Sequence, residues 1–482
     1  MKKILILISI ISSLTYANND FLTLEERLER LEQKLHQVEE DQAKKVEKEE
    51  RDRVAYNNDK VEFHGYFRTG ADGNIKEGNK RAYDRAKNIV GRWGNEYDTN
   101  FNFNLSRKFT LPNQAWSRVL IQVENWNNIY NNSIGDTELN VTNLYLEMGN
   151  LPFMTGNFKE ATIIGGKRGW DGVIVDPIDY YYQDIGGTGI GIDKIKFLNG
   201  YLNLAYISAD FDDKTQHSYI LGVPENGYYK ENRETAGTIR GYKARYSQGD
   251  LSLEMMYAHA VDHNNVGKTF SDVWGNKIET TRNVADNGVY AGLYYNPKNF
   301  FGLKGWGQHY LQFSTGVLAG DNGIGRINTP GNMLAHKDSK AYQLGLGGLV
   351  NLNEKTNMLV TFRTNYVDKV DSRDQQFNGD KIESSILNKE SSLISLNLRP
   401  IYTLNQFLDL WLDTGIGKIE SKTYKGDTWE GNYYKVSAGP QIRYSIGFAE
   451  TTIKAYVTYI SEDTTNGKVD DIITGLQFVA WW

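Results

Sequence analysis

Ile472-Ile473-Thr474-Gly475-Leu476-Gln477-Phe478-Val479-Ala480-Trp481-Trp482 closes the chain, and its side chains sort by parity. In an extended strand Leu476, Phe478, Ala480 and Trp482 share one face, and Trp481 falls on the other. The same period of two recurs upstream. Ile453, Ala455, Val457 and Tyr459 alternate with Lys454, Tyr456 and Thr458. Leu408, Leu410 and Leu412 flank Asp409, Trp411 and Asp413, and Tyr242, Ala244 and Tyr246 flank Lys243 and Arg245. Leu144, Leu146 and Met148 repeat the pattern, as do Val119, Ile121 and Val123. Phe101, Phe103 and Leu105 alternate with asparagines at 100, 102 and 104. Each such stretch reads as a strand with one apolar face.

A soluble sandwich and a membrane barrel share this alternation, and three features favour the barrel. The polar faces carry charges that would be costly in a dry core but are at ease in a water-filled lumen. The apolar faces are often aromatic. The terminal strand closes on an aromatic residue, which resembles outer-membrane barrels generally. The segment from Val61 to Trp482 has 422 residues. At about 23–26 residues per strand with its turn or loop, that is enough for roughly 16–18 strands, and a barrel of that size encloses an aqueous channel. Turn signals rich in Gly, Asn and Asp separate the strands, as at Gly249-Asp250, Asp321–Gly325, Asn466-Gly467 and Gly323–Asp338.

Composition agrees. The 31 tyrosines, 10 tryptophans and 47 glycines in a chain only 40% hydrophobic suit strands that are apolar on one side. With no cysteine there is neither a disulfide framework nor a thiolate metal site.

The N-terminus carries an export pattern. Lys2 and Lys3 precede an apolar run from Ile4 to Leu14, and Thr15-Tyr16-Ala17 supplies an A-x-A-like cleavage site. Residues 1–17 read as a removed signal peptide; the alternative is an N-terminal anchor helix. Removing Lys2 and Lys3 takes the formal charge from −6 to −8, which argues against nucleic acid as a partner. Residues 18–53 read as a coiled coil: Phe21, Leu24, Leu28, Leu31, Leu35 and Val38 trace an a/d seam amid charged residues. A solvated single helix or a charged linker is the alternative. Residues 54–60 read as a linker.

No enzyme motif is found. Histidines 64, 217, 259, 263, 309 and 336 are scattered, with His36 in the helical block. No H-E-x-x-H, G-x-S-x-G or Walker loop occurs. Gly187–Gly191 lacks a βαβ context and reads as a turn. Asp210, Asp212 and Asp213 read as a solvated loop rather than a calcium site, and His259 and His309 as packing or lumen residues. No cofactor and no metal are expected.

The run from Val61 to Gly70 (Val-Glu-Phe-His-Gly-Tyr-Phe-Arg-Thr-Gly) is similar to the opening strand of the maltoporin family, which includes the sucrose porins. Arg92-Trp93-Gly94-Asn95-Glu96, Gly166-Lys167-Arg168, the run Ile178–Ile185 and the closing Trp481-Trp482 follow in the family's order and spacing. The helical block resembles the periplasmic extension of sucrose porins. The resemblance implies an all-β barrel of 18 antiparallel strands at 61–482, in the outer membrane of a Gram-negative-type bacterium. It further implies a homotrimer with an inward-folded third loop, passing oligosaccharides or disaccharides by facilitated diffusion.

By position, the family's aromatic slide falls on Tyr66, Trp306, Phe448 and Trp481, with Tyr181 at the constriction. An aromatic from a neighbouring subunit, Tyr130 or Trp126, would join it. Arg68, Arg92, Asn100, Asn102, Asp179 and Asp184 fall on the polar track. Asn100 and Asn102 stand where the family has an aromatic and an acid, and Gly172 and Ile174 stand near its constriction charges. An interrupted slide and a less charged eyelet are therefore expected. Two other readings remain: a general diffusion porin, and an envelope anchor or adhesin that uses the coiled coil against the cell wall or a periplasmic partner.

Overall fold

The seam of the barrel joins the first strand to the last. In the register, Tyr66 faces Trp481, Arg68 faces Val479 and Gly70 faces Gln477. The computed structural model describes residues 29, 32–42, 44–46, 48, 60–75, 86–96, 99–127, 139–210, 219–220, 229–231, 238–261, 269–272, 277–279, 285, 287–319, 324–327, 335–370, 388–423, 428–446 and 449–482. Eighteen long strands, β1 to β18, make the barrel. They are β1 (Val61–Asn74), β2 (Thr99–Thr110), β3 (Trp116–Asn127), β4 (Asn140–Gly149), β5 (Thr162–Val175) and β6 (Tyr180–Phe197). Next come β7 (Gly200–Asp210), β8 (Thr238–Gln248), β9 (Leu251–Val261), β10 (Asn287–Tyr295), β11 (Leu303–Thr315) and β12 (Ala335–Asn351). The last six are β13 (Thr356–Val370), β14 (Asn388–Thr403), β15 (Leu408–Thr423), β16 (Thr428–Ile446), β17 (Ala449–Thr464) and β18 (Gly467–Trp481). Each pairs antiparallel with its neighbour in sequence, and β1 pairs with β18.

Parity decides which way each side chain points. On the outer face Phe63, Leu144, Leu253, Leu311, Leu410, Ile453 and Leu476 are exposed, as residues facing lipid must be. On the inner face Glu254, Gln312, Arg399, Asp413, Lys435 and Lys454 are buried. The alternation read at 101–105, 119–123, 144–148, 242–246, 408–412 and 453–459 falls within β2, β3, β4, β8, β15 and β17. Closing the sheet leaves no open edge. Tight turns at 198–199, 249–250 and 465–466 join β6 to β7, β8 to β9 and β17 to β18. A separate four-stranded sheet is built from residues 219–220, 229–231, 269–272 and 277–279.

Several expectations change. Gly187–Gly191 is not a turn; it lies inside β6. Its glycines accommodate the Trp170 ring, whose Nε1 donates to the Gly187 carbonyl at 3.1 Å. His259 shares the outer face with Met255 and Tyr257 rather than lining the lumen. His309 also has outer parity and packs among Tyr295, Phe300 and Phe301. Asp210 ends β7, and Asp212 and Asp213 lie outside the described residues. No metal-binding group of acids and histidines occurs among the described residues.

The chain divides into two units, residues 1–60 with 110–112 and the remainder. In the first, residues 32–42 and 44–46 are helical, with Glu40 between His36 (3.7 Å) and Lys44 (3.9 Å). Leu35 and Val38 are exposed there. The signal-peptide segment and the earlier seam positions lie outside the described residues.

Candidate functional site

Inside the barrel, three segments leave the wall and enter the lumen. One is the hairpin between β5 and β6. Its tip carries a short turn, Asp176–Ile178, and Asp179 at φ 49°. The tip reaches across to β14, where Arg399 Nη1 donates to Asp176 Oδ2 at 2.7 Å and Nη2 donates to the Pro177 carbonyl at 3.1 Å. Three successive tyrosines divide the work by parity. Tyr180 donates to Gln343 on β12 at 2.9 Å, with Arg363 over its ring. Tyr182 stacks on Tyr310 of β11 with centroids 4.0 Å apart. Tyr181 between them turns the opposite way and is partly exposed, while its carbonyl accepts from Arg326 Nη2 at 3.0 Å.

The second segment, residues 86–96, follows β1. Its short helix, Lys87–Val90, is pinned by Asn397 donating to the Ile89 carbonyl at 2.7 Å. Lys435 donates to the carbonyls of Gly91 and Trp93, each at 2.7 Å. Gly94 has φ 73°, and a Cβ there would collide with Ser437 Oγ and Thr458 Oγ1. Only glycine lets this turn lie against the wall. Trp93 sits edge-on to Trp411 at 5.3 Å, beneath the cations of Arg399 (3.9 Å) and Lys454 (3.4 Å). The third segment follows β11: Val317, Leu318, Ile324 and Ile327 are buried against Ile207, Ile239, Met256 and Tyr290.

The first two segments are tied together. Arg92 Nη2 bonds Asp176 Oδ1 at 2.7 Å, and the Arg92 amide donates to the Pro177 carbonyl at 3.0 Å. Lys87 pairs with Asp179 at 2.9 Å. Glu96 takes Arg68 at 2.9 Å and Gln477 at 3.2 Å. Burial pushes the Glu96 carboxyl up, but Arg68, Arg92 and Lys87 outweigh it and hold it at about 2. Arg399 and Lys435 share Asp413 at 3.3 and 3.2 Å. Residues 86–96, the hairpin tip and the wall at β14–β16 thus share a dense set of paired charges, most of them buried.

Of the aromatics expected on the slide, Tyr66 and Trp481 are direct partners on the lumen face. The Tyr66 hydroxyl accepts from Arg68 at 3.5 Å, and Trp481 donates to Glu450 at 2.9 Å. Trp306 shares the parity of the lumen residues Gln308 and Tyr310 and is 43% exposed. Phe448 and Tyr130 lie outside the described residues. The backbone of Trp126 lies in β3, one residue before its end, and that of Asp184 lies in β6. Among the track residues, Arg68, Arg92 and Asp179 are brought into the ion-pair network. Asn100 is buried opposite Arg68, and Asn102 donates to Glu124 at 2.8 Å.

Sequence reading did not single out Glu96, Trp93, Asp176, Arg399, Asp413, Lys435 and Lys454 as members of this network of ion pairs and ring contacts. Glu96 and Trp93 belong to the motif that contains Arg92, and the other five lacked any local signal beyond an inward parity or a turn. The lumen can therefore offer ring faces along part of its wall and the partly exposed ionic groups of Lys87, Arg92, Asp176 and Asp179, while the rest of the network is buried.

The LamB porin family model matches residues 61–482. A maltoporin of Vibrio cholerae serotype O1 (El Tor Inaba) is 26% identical over 446 residues, covering 88% of this chain and 95% of that one. The maltoporin of a classical Ogawa strain is likewise 26% identical, covering 88% of this chain and 94% of its own. Among solved structures, the chain is similar to the Pseudomonas aeruginosa channel OccK1 at 11% identity, with a TM-score of 0.42 and coverage of 88% and 99%. It is also similar to the Acinetobacter baumannii outer membrane channel DcaP at 10% identity, with a TM-score of 0.41 and coverage of 88% and 97%. From Val61 to Trp482 the chain belongs to the LamB porin family and forms an outer-membrane porin barrel.

Proposed function

We propose that this porin passes carbohydrates across the outer membrane by facilitated diffusion and performs no catalysis. The observation that carries the reading is the pairing of Tyr66 with Trp481 on the lumen face, beside the ionic network of Arg68, Arg92 and Glu96. Sugars present C–H faces that stack on aromatic rings, and hydroxyls that require donors and acceptors. A wall with both lets a sugar move by exchanging one ring and one set of hydrogen bonds for the next. Net binding near millimolar, about 4 kcal/mol, allows the solute to leave. Trp306, Phe448 and Tyr181 extend the aromatic line, and Asn100, Asn102, Asp179 and Asp184 extend the polar one. The maltoporin names of the relatives support oligosaccharides or disaccharides as the substrate class.

The same reading makes the protein a homotrimer in which Tyr130 or Trp126 of one subunit joins the neighbouring channel. Residues 1–17 are removed on export. Residues 18–53 form a periplasmic coiled coil, joined to the barrel by 54–60, that can meet the cell wall or a periplasmic partner. A general diffusion porin is the second reading, favoured by Asn100 where an aromatic would continue the slide. Ion conductance of the purified protein in planar bilayers, titrated with maltodextrins and sucrose, separates the two. Saturable block at millimolar sugar supports the slide; steady current without block supports general diffusion.

A further inference from the structure

The lumen wall behind the third-loop hairpin holds a buried cation with no ion-pair partner among the described residues. Arg363 of β13 is 4% exposed. Tyr180 lies over its guanidinium at 3.3 Å. Its Nε and Nη1 make no hydrogen bond to the described residues. Four other buried cations differ: Arg68 has Glu96, Arg92 has Asp176, and Arg399 and Lys435 have Asp413, whereas Lys454 rests on the Trp93 ring. Ser395 of β14 stands directly opposite Arg363 in the register, and Thr361 lies two residues away on the same face. Both are 2% exposed, and neither hydroxyl has a hydrogen-bond partner among the described residues.

We propose that Arg363, Ser395 and Thr361 form a binding site for a monovalent inorganic anion of the chloride class, seated behind the constriction. Cross-strand neighbours on one face are close enough for a single small ion to touch both. Guanidinium N–H groups and two rotatable hydroxyls are all able to donate, which suits an acceptor without protons. The Tyr180 ring covers the guanidinium face and leaves its in-plane N–H bonds for the ion. A buried charge without a counter-charge is costly, and an anion removes that cost. The burial of all three residues excludes a sugar-sized solute, so the ion is a resident of the wall rather than cargo. Its effect is to fix the guanidinium on which Tyr180, the residue directly after the hairpin tip, rests. The inference stands apart from the sugar reading, because it concerns groups the passing solute does not reach.

Crystals of the full-length protein grown in bromide test it directly. The expected result is an anomalous bromine peak within hydrogen-bonding reach of Arg363 and Ser395; an ordered water there and no peak overturns the site. Thermal unfolding in chloride against gluconate at fixed ionic strength supplies the solution readout. The wild-type Tm should rise with chloride and level off, while Arg363→Met should show no such rise. Equal chloride dependence in both proteins overturns the proposal. Should Arg363→Met fail to fold, Ser395→Ala replaces it, with lower bromide occupancy expected and undiminished occupancy counting against the site.

Discussion

Tyr66 and Trp481 are direct cross-strand partners at the seam of the barrel, and both rings lie on its lumen face. Rings on paired positions of neighbouring strands are close enough to act on one solute. If sugars use them, Tyr66→Ala and Trp481→Ala should each raise the sugar concentration for half-block of the current. A ring contact of about 0.5–1.5 kcal/mol corresponds to roughly two- to tenfold. Titrated current block checks this; unchanged block in both variants removes these residues from the path.

Asp176 receives Arg92 and Arg399 on its two oxygens, so it fastens the hairpin tip to both the first inward segment and the far wall. Asp176→Asn keeps the shape and removes the charge. Because Asp176 is about half exposed, the stability loss should be well short of the ~3–5 kcal/mol seen for a fully buried broken pair. Ion selectivity should respond more strongly. The reversal potential under a salt gradient should move toward anions, with noisier open-channel current. An unshifted potential would mean that permeating ions do not sense this neck.

Acid should act through Glu96. Its carboxyl is lowered from the ordinary 4.5 to about 2, so its contribution is complete above the ordinary value and fades as pH falls toward 2. Conductance should therefore be steady from neutral pH to about 5 and should change between there and about 2 as residues 86–96 loosen. Glu96→Gln should lose that acid transition. A transition of the same size in the variant assigns it to another group.

Gly94→Ala places a Cβ where Ser437 and Thr458 already stand, in a backbone region that costs a non-glycine residue about 1–2 kcal/mol. Residues 86–96 should lift from the wall while the hydrogen-bonded barrel persists. The expected outcome is higher single-channel conductance and passage of larger solutes, with unchanged strand content by circular dichroism. Wild-type conductance from a folded variant would show that the turn absorbs the methyl group.

The wall of this barrel was legible in the sequence because each strand needs only a parity rule. Lys454, Tyr456 and Thr458 point to the barrel interior, Ile453 and Val457 point outward, and two residues suffice to set the phase. The neck was legible only in part. Arg92 and Tyr181 came through family resemblance, yet the partners of Arg92 and Arg399 depend on where a non-periodic segment lands inside the lumen. Asp176 meets Arg399 across 223 positions of sequence, a separation to which no local pattern is sensitive. The glycines at 187–191 misled for a physical reason: a strand that must carry a Trp170 ring flat on its surface resembles a turn in composition.

Asn74 and Asp471 bond across the seam although they are 397 positions apart in sequence. The strand that begins the barrel therefore has no permanent neighbour on one side until the strand that ends it has been made. Such a long-range pairing is slow to find and leaves an adhesive edge exposed in the interval. A nascent chain of this design depends on being shielded through the whole of its synthesis, and the seam acts as an inspection stamp: only a molecule translated to its last strand can pass into the membrane without an open side.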